Sequence, residues 1–355
     1  MRVKNSWVIT LSLLGVTLAC NFFEPEDEGI NRKLPELVDA AENPEQAQYG
    51  KTKLSDYGFF KGNLKELNPT KNVFLYEVNA PLFTDYALKK RFIYLPDNTE
   101  MKYSAQEAFG FPNGAILIKN FYYSSEQTGA TDRIIETRLL LKKNDEWSAL
   151  PYIWNNDQTE AYLDVTGGSR TITLKEHGSF EYVIPNFKQC KNCHDLNGKF
   201  SPIGTTARQL LKNGQIMNWF HEDKLSAYPM ILTSSLEDYT DTSKSLNLRA
   251  RSYLDGNCGY CHRPGGSAKN SGLDLRIFSP TEFSLGVLKG PVAAGKGSGG
   301  LQYDIVPGSP EESILHYRMN SIDPAVMMPE LGRSLIHKEG VALIAEWIRN
   351  MQSES

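Results

Sequence analysis

Residues 190–194 read Cys-Lys-Asn-Cys-His, and residues 258–262 read Cys-Gly-Tyr-Cys-His. In each, two thiols stand about one helical turn apart and an imidazole follows directly. That spacing lets the thiols add across the two vinyl groups of one porphyrin while the imidazole reaches the iron. A tetrahedral zinc site, a thioredoxin-like redox pair or two disulfides would also use Cys-x-x-Cys, but none requires histidine at the next position. The chain has 6 His in 355 residues, so a His after both pairs discriminates among these readings. The expected cofactors are two covalently bound haem c groups, held by Cys190, Cys193, Cys258 and Cys261, with His194 and His262 as proximal ligands.

The sixth ligands are less constrained. Met327-Met328-Pro329 precedes the last apolar-periodic segment, where a thioether can swing onto an iron and raise its potential. Met328, stiffened by the following proline, is the expected ligand of the second haem. For the first haem the candidates are Met217 or His221, four apart on one helix face, followed by His177 and Met230. A five-coordinate iron open to small molecules is the alternative. No acid–base cluster accompanies the first motif, so no catalytic residue is assigned.

Haem attachment of this kind happens outside the cytosol, which requires an export signal. Arg2 and Lys4 precede the apolar run Trp7 to Ala19, which is too short to span a bilayer and reads as a signal peptide. Cys20 follows directly. It is the fifth of 5 Cys and the expected lipidation site, although Thr17 stands where such boxes usually carry leucine. Removing residues 1–19 takes Arg2 and Lys4 from 38 basic residues and leaves 42 acidic ones, a net charge of about −6. This argues against nucleic acid and fits a protein on the periplasmic side of a bacterial membrane or at the cell surface.

The elements that must position the motifs follow. Residues 20–53 are acidic and aperiodic, a tether. Residues 54–184 alternate short Tyr-, Phe-, Ile- and Leu-rich runs with turn residues, which predicts an antiparallel, sandwich-like β domain. Residues 185–235 form a first haem-binding helical unit, with Thr205 to Leu225 helical and Gly214 as a break. The polar stretch Ser234 to Ser245 reads as a linker. Residues 243–355 have the order of a class I-like cytochrome c domain, in which a helix bearing Ala250, Tyr253 and Leu254 runs into Cys258. A terminal helix presents Val341, Ile344, Ala345 and Ile348 on one face, beside Trp347. The fold class is therefore α+β and multidomain.

Two phosphate-loop patterns fail. Gly290 to Gly297 carries glycine where magnesium needs Ser or Thr, and Gly295 to Gly300 is followed by an extended segment instead of a helix, so no nucleotide is expected. His316 in the short helix Pro310 to Met319 reads as structural, and His337 as solvated.

Residues 54–355 resemble an uncharacterised family of exported bacterial di-haem c-type cytochromes. The resemblance is carried by VNAPLFTDYALKKRFIYLP, VIPNFKQCKNCH, RARSYLDGNCGYCHRPGG, PVAAGKGSGGLQYDIVPGSPEESIL and MMPELGRSLIHKEGVALIAEWI. A stretch of the form NQLxxW in that family stands here as Gly214-Gln215-Ile216-Met217-Asn218-Trp219, so a ligand at Met217 departs from its pattern. The resemblance implies single-electron transfer with periplasmic or surface redox proteins and names no partner. Two other functions compete: a di-haem peroxidase-like or oxidase-coupled enzyme with an open first haem, and a β domain that docks on a partner through exposed aromatics near residues 79–96.

Overall fold

The short apolar runs become strands. In the computed structural model, which describes residues 36–352 apart from 38, 228–234 and 293, β1 (Val73–Tyr76), β2 (Leu88–Tyr94), β3 (Ile116–Tyr123), β4 (Arg133–Lys143), β5 (Glu146–Trp154) and β6 (Ala161–Leu163) form one six-stranded antiparallel sheet in sequential order. The signal peptide, Cys20 and Met230 lie outside the described residues. Asn144 and Asp145, both with positive φ, make the two-residue turn between β4 and β5. Helix α1 (Ser125–Thr128), closed by a Ser124/Gln127 capping box, links β3 to β4.

Successive residues of a strand face opposite sides of the sheet. One face buries Phe92, Ile118, Leu139, Tyr152 and Trp154 beneath Leu54, Phe59 and Leu67 of the preceding segment. The other face has two apolar patches. Ile93 and Leu117 lie under α3 (Ala207–Leu210) and α4 (Gln215–His221), while Phe121 and Ile153 lie under the hairpin β7 (Gly168–Leu174) and β8 (Gly178–Ile184). The architecture is α+β with an antiparallel β region. A sandwich does not form, because a two-stranded hairpin and short helices cover the face where a second full sheet would lie. The β region and the first helical unit therefore share one core.

In the C-terminal part, α5 (Leu246–Asn257), N-capped by Ser245, packs against α8 (Lys338–Arg349) through Tyr253, Leu254, Ile344, Trp347 and Ile348. They approach at Gly340, where a Cβ would collide with the Tyr253 phenol. Helices α6 (Glu282–Leu285) and α7 (Ile314–Met319) complete this core. The segment Gly295–Ser298 is a short 3₁₀ turn.

Residues 79–86 tie the sheet to this helical part. Phe83 N–H donates to Asn257 Oδ1 at 2.7 Å, and the Asp85 carboxylate accepts the backbone N–H groups of Ser334 and Leu335. His337, expected in solvent, is 7% exposed. Its ring stacks on Phe83 at 4.2 Å and bonds the Tyr253 and Tyr239 hydroxyls at 2.9 and 3.1 Å, because α8 starts inside this junction. The expected linker is also tied down in its described part: Leu236 is buried and its N–H donates to Arg208 C=O. Among the described residues no helix is long and apolar enough to cross a membrane.

Candidate cofactor-attachment site

Helix α2 (Phe187–His194) is the first motif itself. Asn186 caps it in a reciprocal capping box with Gln189, so the helix begins where the Cys-x-x-Cys spacing needs a full turn and ends on His194. The chain then reverses in a two-strand hairpin, β9 (Asp195–Leu196) and β10 (Lys199–Phe200), over an Asn197-Gly198 turn with both φ positive. This reversal returns the Ser201 carbonyl to 2.8 Å from His194 Nδ1 and stacks Phe200 on the imidazole at 4.9 Å. A carbonyl only accepts, so Nδ1 carries the proton and Nε2 keeps its lone pair.

The second motif continues from α5. Cys258 N–H still bonds Leu254 C=O, and His262 N–H bonds Cys258 C=O at 3.0 Å. His262 Nδ1 lies 3.0 Å from Ser271 Oγ, whose own hydroxyl donates to the Ala268 carbonyl at 2.7 Å. The Ser271 oxygen must then accept from Nδ1–H, which again leaves Nε2 as the free ligand atom. Burial lowers both imidazoles to about 4, keeping them neutral.

Each motif opens on its own cavity. Cys190, Cys193 and His194 line one of about 1280 Å³, counted out to its mouth, against the inner face of the sheet. Cys258, Cys261 and His262 line another of about 1100 Å³. The two share a wall made by Cys193, Tyr260, Pro329 and Leu331. Burial raises the thiols of Cys190 and Cys258, the latter to about 12, whereas the neighbouring Cys193 thiol lowers that of Cys261. All four cysteines are free of disulfides. Among the described residues no group of three or more His, Cys, Asp or Glu is placed to hold a metal ion.

Met328 lines the second cavity with His262, and Met327 does not. Its backbone is fixed from both sides, by N–H donation to Arg318 C=O and by the Arg333 guanidinium on its carbonyl at 2.9 Å. Met217 and His221 line neither cavity. Helix α4 commits Ile216 and Trp219 to the sheet, which leaves Met217 44% exposed and His221 exposed as well. His177 stacks on Tyr86 at 3.9 Å, also away from both. Phe83 and Tyr86 are half-buried at the junction and Phe92 is core, so an exposed aromatic docking face is not found there.

Sequence reasoning missed the wall opposite His194, where Arg91, Lys119 and Arg138 face the cavity. The available signal was a basic residue inside each of three largely apolar strands: Lys119 alone in β3, Arg91 after Lys89 and Lys90 in β2, and Arg138 in mid-β4. Compared with family models, curated proteins and solved structures, the chain matches none.

Proposed function

We propose that this chain is a di-haem c-type cytochrome that passes single electrons between redox proteins, exported to the periplasm or cell surface and lipid-anchored through Cys20. The observation that carries the reading is the state of the two imidazoles. Each has Nδ1–H committed to a protein acceptor and Nε2 free, beside two thiols on one helical turn and on the wall of a cavity. Bound haem supplies an iron that cycles between ferric and ferrous. The chain's own residues attach it, orient the proximal ring, exclude water by burial and, at the second site, offer the Met328 thioether.

The test is expression in a host with a c-type maturation system, followed by intact mass and haem stoichiometry. Two covalent haems per chain are expected, and Cys190→Ala/Cys193→Ala or Cys258→Ala/Cys261→Ala should each leave one. A wild-type chain that matures with fewer than two sinks the reading.

One observation favours the enzyme alternative as a second reading. Among the described residues the cavity at His194 has no other imidazole and no thioether on its walls. The first iron would then have an exchangeable sixth position, as a peroxidase-like site needs. Carbon monoxide on the reduced protein and cyanide on the oxidised protein should each bind one haem; binding to neither leaves the carrier function alone.

A further inference from the structure

Between the two apolar patches on the inner face of the sheet runs a row of polar residues that haem attachment does not explain. Tyr76 of β1 pairs with Arg91 of β2, Arg91 with Lys119 of β3, and Lys119 with Arg138 of β4. Directly paired residues on neighbouring strands point to the same side. All four line the cavity that holds Cys190, Cys193 and His194.

Arg138 has its counter-charge, a two-pronged bond to the Glu136 carboxylate. Arg91 and Lys119 do not: among the described residues no carboxylate lies within ion-pair distance of either. Glu77, the acid nearest in effect to Arg91, is paired with Lys212. Burial, then the surrounding cations, hold the Lys119 ammonium well below its ordinary range. Like charges opposite each other in an antiparallel pair destabilise it, and an unpaired charge away from bulk water costs more. A negatively charged ligand on this wall removes both penalties.

We propose that Arg91 and Lys119 form a carboxylate- and oxyanion-binding site on the wall of the His194 cavity. Its ligand is either the propionates of the haem attached at Cys190 and Cys193 or a small oxyanion entering from solvent. The inference rests on the haem reading, so the holoprotein's haem content is measured first. Fewer than two haems defeats that reading, whereas two isolate the anion site for its own test.

The test compares the wild-type holoprotein with Arg91→Gln, Lys119→Gln and Arg91→Lys. Resonance Raman spectra report the propionate bending bands, and Soret titrations with nitrite and with inorganic phosphate report solvent anions. If the propionates are the ligand, one pair of bands moves in both Gln variants, Arg91→Lys keeps the wild-type bands, and neither anion changes the wild-type spectrum. If a solvent oxyanion is the ligand, the wild type shows a saturable Soret shift that both Gln variants lose. The proposal is overturned if no anion shifts the wild-type Soret band and no propionate band moves. It is equally overturned if Arg91→Lys moves the bands as far as Arg91→Gln, which marks a packing effect. The wild-type titrations decide the solvent arm even where a variant fails to fold.

Discussion

Cys193 and Cys261, one from each Cys-x-x-Cys-His motif, lie side by side on one wall of the His262 cavity, and the neighbouring Cys261 thiol together with burial pushes the Cys193 thiol well up. Cys261 Sγ also reaches the Asn192 carbonyl at 3.6 Å. The two Cys-x-x-Cys-His motifs therefore meet at one wall.

Sites this close should influence each other electrostatically. A unit charge ~12 Å away at an effective dielectric near 20 is worth about 1 kcal/mol. In Cys190→Ala/Cys193→Ala the second site should titrate at a potential displaced by roughly that amount. Potentiometry that finds the second site unchanged would mean the two are electronically separate.

Met328 is the thioether on the wall of the His262 cavity. Met328→Ala should lower the potential of the second site, because a thioether ligand favours the reduced iron. Met327, 9% exposed, lies outside that wall. Met327→Ala should leave the potential alone and destabilise the fold by about 2 kcal/mol, read by denaturant unfolding.

His337 makes stability depend on pH. Burial lowers it from 6.5 to about 4, so between those values the unfolded chain binds more protons than the folded one. Stability from this group is fully present above pH 6.5 and is lost as pH falls through 4, by on the order of 3 kcal/mol. Glu339, 3.6 Å away, and Lys89 act on the same ring in opposite directions. Asp85 works the other way overall: burial raises it to about 6, so its contribution falls as pH rises from about 4 to 6. The difference between wild type and His337→Gln isolates the histidine and should grow with pH across 4 to 6.5; a flat difference refutes the assignment.

Arg208 of α3 and Asp255 of α5 form a buried ion pair at 2.9 Å, and Asp255 also accepts the Ile277 N–H. Asp255→Ala strands a buried guanidinium and should cost about 3–5 kcal/mol in urea unfolding. Replacing both partners with apolar residues, as in Arg208→Met/Asp255→Leu, should recover most of that loss.

Much of the local structure was legible in the sequence. Gly214 marks the break ahead of α4, and the helix bearing Ala250, Tyr253 and Leu254 runs directly into Cys258. These are interactions among residues close in the chain, so residue type and spacing suffice to read them. That His337 is buried, and that Met217 and His221 stand exposed and away from both cavities, have one cause. Which face of a helix meets solvent depends on what the rest of the chain brings to it.

The sequence by itself determined the chemistry: two sets of thiols with an adjoining imidazole, each on one turn, and a methionine ahead of the last helix. Only the tertiary structure decided that Cys193 and Cys261 meet, that Met328 and not Met327 lines the second cavity, and that Arg91 and Lys119 line the cavity that holds His194. The first is a contact between distant segments. The last is set by strand register, since a slip of one residue would turn both cations to the opposite face. Neither register nor long-range contact is encoded in any short window of residues, because both follow from burying the two faces of the sheet at once.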